Sequence, residues 1–242
     1  MRHAMLAVSL AAFVISPPQA TEVSSRITVQ DLNQSQNPHL RLHAQIIAAA
    51  VWPNTPPLGT KVFVCWENPD VRFQNEMQLV KQAVADTWEA ASKVRFQGWS
   101  KCAPISRGVR ILIDDSGAQT VKIGRQLEVE EGGIVHAIRN GMTLNFTFVN
   151  WSASCQQKKE ACIRGIAVHE FGHALGLVHE QNGPNIPGEC FKQGLVQGPL
   201  PDLGLTPYDA HSVMNYCNPE WNKGILSALD TEAVQKLYGT SS

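Results

Sequence analysis

The run His169-Glu170-Phe171-Gly172-His173-Ala174-Leu175-Gly176-Leu177-Val178-His179 constrains this chain more than any other stretch. On an α-helix, residues four apart lie nearly above one another, so His169 and His173 project from one face. Two imidazoles so spaced can hold one tetrahedral Zn²⁺ at Zn–N distances of roughly 2.0–2.1 Å. Glu170 stands about 100° round the helix from His169, beside the ion rather than on it. There it can act as general base on a zinc-bound water. A continuing helix would carry His179 away, because six residues turn through about 600°. Gly176 resolves the conflict, since glycine accepts positive φ, ends helices and lets the chain bend back so that His179 becomes the third ligand. Three nitrogens leave a fourth position open, which separates catalytic from structural zinc. The expected cofactor is one catalytic Zn²⁺ ion. The alternative is a helix carrying ordinary surface histidines.

A second run, Tyr208-Asp209-Ala210-His211-Ser212-Val213-Met214-Asn215-Tyr216, reads as a tight turn carrying a methionine and then a tyrosine. Together the two runs resemble the metzincin metalloendopeptidases, which pair a long zinc motif with a methionine-containing turn. Within that clan the chain is most similar to the astacins. Glu180 and Gln181 follow the third histidine as in that family, and Thr206-Pro207-Tyr208-Asp209 leads into the methionine turn. Leu226-Ser227-Ala228-Leu229-Asp230 and Leu237-Tyr238-Gly239 resemble its closing helix. Matrixin-like enzymes usually carry proline where Tyr216 stands, and serralysins usually lack a glutamate at the place of Glu180. Three features depart from the astacin pattern: Asn182-Gly183-Pro184-Asn185 replaces an arginine-containing segment, Asn215 stands where histidine is common, and six cysteines replace four.

The resemblance implies an α+β fold of the metzincin or zincin-like kind, with a twisted mixed sheet, two long helices above the cleft and a loop-rich lower subdomain ending in a helix. It also implies that Met214 floors the zinc site without binding metal, and that Glu180 and Gly176 shape the site. Tyr216 would lie near the zinc and stabilise a developing oxyanion. The phenol is a good donor for that role whatever the family. Without the zinc motif, Met214 and Tyr216 would read as core residues.

At 242 residues the chain suits one ordinary catalytic domain, expected over residues 59–242. Residues 1–20 read as a secretory signal: Arg2 and His3, an apolar run from Ala4 to Ile15, then Pro17-Pro18-Gln19-Ala20. The apolar run is too short to span a bilayer. The expected location is therefore extracellular, or periplasmic in a bacterium. Residues 21–58 are either an N-terminal arm or a short propeptide; Asp31, His39 or His43 could block the metal in a precursor, but solvated arm residues are the plainer identity. Net charge of −1, from 20 basic and 21 acidic residues, gives no reason to expect nucleic acid or an acidic membrane surface. The expected partners are protein or peptide substrates, with a monomer as the default state. Six cysteines without metal-site spacing point to disulfides in an exported protein. Proximity suggests the pairs Cys65–Cys102, Cys155–Cys162 and Cys190–Cys217.

From Lys61 the pattern alternates between strand and helix. Strands are expected at Val62–Trp66, Val109–Ile113 and Met142–Val149, with an amphipathic helix over Asn75–Ser92 on Met77, Val80, Val84 and Trp88. A further helix should run from about Glu160 into the zinc motif, and a last one from Asp230. The strand Ile134-Val135-His136-Ala137-Ile138 is the expected edge strand that pairs with substrate, against a plain sheet strand as the alternative. His136 is not expected to bind metal. Asn33, Asn145 and Asn150 open glycosylation sequons, which matter only in a eukaryotic source. Two rival functions remain: a non-catalytic zinc-containing peptide binder, and an amidase acting on peptidoglycan or another specialised polymer.

Overall fold

The computed structural model describes residues 43–54, 59–183, 186–188, 190, 197–218 and 223–241. These lie in the unit His39–Ser242. The expected signal segment, Asn33, Asp31 and His39 fall outside the described residues.

A five-stranded mixed sheet forms the upper half, in the order β3-β2-β4-β8-β5. Strand β2 (Thr60–Trp66) lies parallel to β3 (Val94–Lys101) and to β4 (Val109–Ile113), and β4 lies parallel to β8 (Met142–Leu144). Strand β5 (Gln119–Thr120) runs antiparallel to β8 and makes the edge. The β-branched run of β4 is buried almost throughout, as a central parallel strand requires. In β2 the alternation is clean at first, with Val62 and Val64 inward and Lys61 and Phe63 outward.

Two long helices pack together against this sheet. Helix α1 (Gln74–Val84) continues through a wider turn at Ala85–Glu89, where the Thr87 hydroxyl bonds the Ala83 carbonyl at 2.6 Å. The expected stripe delivers Val80, Val84 and Trp88 to the core. A short helix α2 (Ala153–Gln157) precedes α3 (Lys159–Ala174). The indole of Trp88 donates to the Val168 carbonyl of α3 at 2.9 Å. From Gly165 onward every residue of α3 is buried, so this is a core helix rather than an amphipathic one. Phe171 fixes it on the sheet, meeting Phe96 edge-on at 4.9 Å and stacking on Trp99 at 5.6 Å. The chain closes with helix α4 (Ala228–Tyr238), whose start is a capping box between Ser227 and Asp230. All three expected disulfides form. Among the described residues, no helix is long and apolar enough to cross a membrane.

Three sequence expectations change. The strand expected over Met142–Val149 stops at Leu144, because the Asn145 side chain accepts from the Thr147 and Phe148 amides and turns the chain. Asn145 is buried and gives its amide nitrogen to Asp115 and Ser116, so this sequon is closed in the folded protein. The segment Ile134–Ile138 forms a strand, β7 (Ile134–Ala137), but pairs only with β6 (Glu128–Glu131) in a separate hairpin. Gly132 and Gly133 both have positive φ at its tip, so a tight local turn decides the pairing. The edge of the main sheet is β5. Finally, residues expected as an arm belong to the domain. Strand β1 (His43–Ile46) pairs antiparallel with β9 (Leu203–Thr206), and Ile46, Ala50 and Trp52 are buried.

Candidate active site

Helix α3 presents His169 and His173 one turn apart, with ring centroids 4.8 Å apart and planes perpendicular. The helix ends at Ala174, and Gly176 takes a φ of +102°. Glycine adopts that conformation without steric cost, and the chain folds back. The Gly176 amide bonds His173 O at 3.0 Å, and the Leu177 amide bonds Gly172 O at 3.1 Å. The N-terminal segment then braces the turn: Val178 N–H donates to Gln45 O at 2.8 Å, and Ile47 N–H to Gly176 O at 3.3 Å.

His179 thereby returns to the other two. Its Nε2 lies 3.2 Å from His169 Nε2 and 3.1 Å from His173 Nε2. Each Nδ1 faces a backbone carbonyl: Val213 O at 2.7 Å for His169, Leu177 O at 2.9 Å for His173 and Gln197 O at 2.8 Å for His179. A carbonyl only accepts, so each Nδ1 carries a proton and each Nε2 is left with a lone pair. Three lone pairs converging inside the protein repel one another unless a cation lies between them. Tetrahedral zinc ligands at 2.0–2.1 Å would sit about 3.3 Å apart, close to what is seen. Burial, and after it His179, pushes His169 down to about 3; burial and the neighbouring rings hold His173 well below its usual range, and burial lowers His179. All three rings are neutral, which is the ligating form. Among the described residues, these three histidines are the group able to hold a metal ion.

Glu170 is buried next to this cluster, and burial pushes its carboxyl up to about 7. The Thr120 hydroxyl opposes the shift, donating to Glu170 Oε2 at 2.7 Å. Met214 packs its sulfur against Gly172, and an added Cβ at Gly172 would also come within 3.2 Å of Trp88 Cζ2. Met214 therefore lies against the histidine-bearing turn of α3. The Tyr216 ring stacks on His169 at 5.0 Å and 14°, and lies 4.4 Å from His179. Burial, reinforced by Glu170, raises its phenol well above the ordinary range, so it keeps its proton and can donate.

Glu180 turns away from the cluster. It is buried, accepts from the Asp209 amide at 2.8 Å and from the Ala44 amide, and is raised to about 8 chiefly by burial. Its own amide bonds Met214 O at 3.0 Å, which ties the zinc turn to the methionine turn. Ile134, Val135, His136 and Ala137 lie on the separate β6–β7 hairpin and Ile138 just beyond it, outside the main sheet whose edge is β5. His136 contacts Glu131 at 3.5 Å and its own strand. Thr120 is the residue that sequence reading missed. A two-residue strand carries no periodicity, and a lone threonine no motif.

The matrixin family model (Peptidase M10) matches residues 62–192, more than half of the chain. Interstitial collagenase of Bos taurus is 24% identical over 186 residues, covering 73% of this chain. The chain spans about a third of that relative's length (33%). Among solved structures, myroilysin superposes with a TM-score of 0.53 at 19% identity, covering 81% of this chain and 99% of that one. High choriolytic enzyme 1, a hatching-enzyme zinc-protease from the medaka Oryzias latipes, gives 0.50 at 17% identity, covering 80% and 96%. The fold is that of the metzincin zinc proteases, and the chain belongs to the matrixin family.

Proposed function

We propose that the protein is a secreted zinc-dependent endopeptidase, with Glu170 as general base and Tyr216 as oxyanion donor. The observation that carries this reading is the convergence of three Nε2 lone pairs with the Glu170 carboxyl beside them. His169, His173 and His179 would hold a zinc ion, which would supply an electrophile for the carbonyl and make a bound water more acidic, towards a pKa of about 7. Glu170 takes the proton from the attacking water and passes it to the leaving amine. Tyr216 donates its phenol proton in a hydrogen bond to the carbonyl oxygen as charge builds there. The exposed side of β5 seats the substrate as an added strand, the role first expected of Ile134–Ile138. In its details the site is astacin-like within the metzincin fold, a reading that Glu180 and Tyr216 support.

Secretion is supported by the three disulfides and by the character of residues 1–20, read as a signal. The catalytic domain of this reading starts no later than His43, and it acts as a monomer on protein or peptide substrates. The test is metal content and casein hydrolysis on one purified sample, with and without a zinc chelator. One zinc per chain is expected, with activity lost on chelation and restored by added zinc. Glu170→Gln should keep its zinc and lose at least about a hundredfold in kcat, the lower bound of what a general base contributes. A Glu170→Gln enzyme of normal activity would refute the mechanism.

A further inference from the structure

Glu170 has rotatable side-chain bonds and sits at the rim of the histidine cluster, yet a general base must present one chosen oxygen to the water. Its own helix supplies no group that fixes the carboxylate end. The contact comes from strand β5. Thr120 Oγ1 lies 2.7 Å from Glu170 Oε2 and 3.2 Å from the Glu170 main-chain carbonyl. We propose that Thr120 is a positioning residue that ties down Oε2 and so reserves Oε1 for the reacting proton. The inference rests on Glu170 being the base.

Three features support a positioning role. The first is stiffness. Thr120 is β-branched, which restricts its first torsion, and it sits on a strand pinned to β8 by the pairs Gln119–Thr143 and Thr120–Met142. The Val121 amide extends that ladder to Gly141 O at 3.0 Å. The second is direction. Gln119 and Val121 are exposed, so strand alternation turns Thr120 alone of the three towards α3. The third is chemistry. A hydroxyl has one proton, and the 2.7 Å contact to a carboxylate is the stronger of its two acceptors. With Oε2 engaged, the proton leaving the water binds Oε1 and departs from Oε1 to the amine nitrogen. The Thr120 proton stays on Oγ1 throughout. Because Thr120 lies on the edge strand, a substrate added to that edge braces the same backbone that holds the base.

The test compares wild type, Thr120→Val and Thr120→Ser as full-length, zinc-loaded proteins. Valine keeps the shape and removes the hydroxyl; serine restores it. Thr120→Val should lose kcat by roughly ten- to thirtyfold, a part of the hundred- to ten-thousandfold range of general-base catalysis. KM, zinc content and melting temperature should stay within error of wild type, and Thr120→Ser should recover most of the loss. A second readout needs no turnover: acetohydroxamic acid, whose hydroxyl proton must pass to a neighbouring carboxylate on binding zinc, should bind Thr120→Val roughly tenfold more weakly. Equal kcat and equal hydroxamate affinity in Thr120→Val would overturn the proposal. So would a loss that serine fails to rescue and that tracks zinc content or melting temperature, since that marks a purely structural threonine. If wild type shows no chelator-sensitive hydrolysis, the endopeptidase reading fails, and hydroxamate affinity still decides the role of Thr120.

Discussion

Gly172 shows how little room the site leaves around its ligands. The Met214 sulfur fills the space a side chain at 172 would need, and Trp88 closes the other side. Gly172→Ala should cost about 1–3 kcal/mol of overpacking, or roughly 2–12 °C in melting temperature for a domain of this size. Zinc affinity should fall with it, because the displaced methionine lies under the turn that carries His169 and His173. An alanine variant with wild-type melting and zinc affinity would show that Met214 is not a floor. At Tyr216 the ring and hydroxyl separate cleanly. Tyr216→Phe keeps the stack on His169, so zinc content should hold while kcat drops by roughly tenfold to a hundredfold. A full-strength phenylalanine enzyme would reduce Tyr216 to packing. The convergence of His169, His173 and His179 beside Glu170, with the turn at Gly176, was legible from spacing, and the placement of Met214 and Tyr216 from the resemblance of the turn that carries them. Thr120 was not, because its partner is 50 positions away and nothing local marks it.

Between elements, single carboxylates do the joining. Asp230 caps α4, and the same side chain accepts from the Ser212 hydroxyl at 2.6 Å and from the Val213 and Ser227 amides at 3.0 Å each. It thus fastens the last helix to the turn that carries Met214 and the Val213 carbonyl behind His169. Asp230→Ala strands these donors and should cost about 2–4 kcal/mol, with a weakened grip on zinc as the second symptom. Unchanged thermal melting would contradict that linkage. Element types were largely readable: the helix stripe of α1, the β-branched β4 and the start of α4 all follow from local pattern. Pairing was not. Ile134–Ile138 reads as a strand and nearly all of it is one, but which strand it meets depends on the Gly132-Gly133 turn and on what fills the sheet beyond β8. The true edge is too short for any period to register.

Across the whole molecule, both described ends of the chain converge on the back of the zinc turn. The last carbonyls of a helix have no partner within it. Here the Trp52 indole donates to Ala174 O and the Tyr238 hydroxyl to Leu175 O, each at 2.6 Å, while the Trp52 amide donates to the Tyr238 oxygen at 3.3 Å. Strand β1 and Ile47 just after it complete the brace, through Gln45 O, the Ile47 amide and the Ala44 amide on Glu180. An arm that could simply be trimmed would not carry the hydrogen bonds that turn His179 inward. Trp52→Phe leaves Ala174 O unpaired and should cost about 1–3 kcal/mol. Zinc affinity should fall roughly ten- to a hundredfold, as for other groups that orient metal ligands from behind. Truncation makes the same argument at full scale. A chain starting at His43 should melt cooperatively and retain zinc against a chelator, whereas one starting at Gly59 should lose both. If the shorter chain keeps the melting temperature and zinc affinity of the longer, residues 43–58 are the arm that composition alone suggested. If it loses them, any maturation cut that leaves an active enzyme must fall before Gly59, ahead of or within residues 43–58.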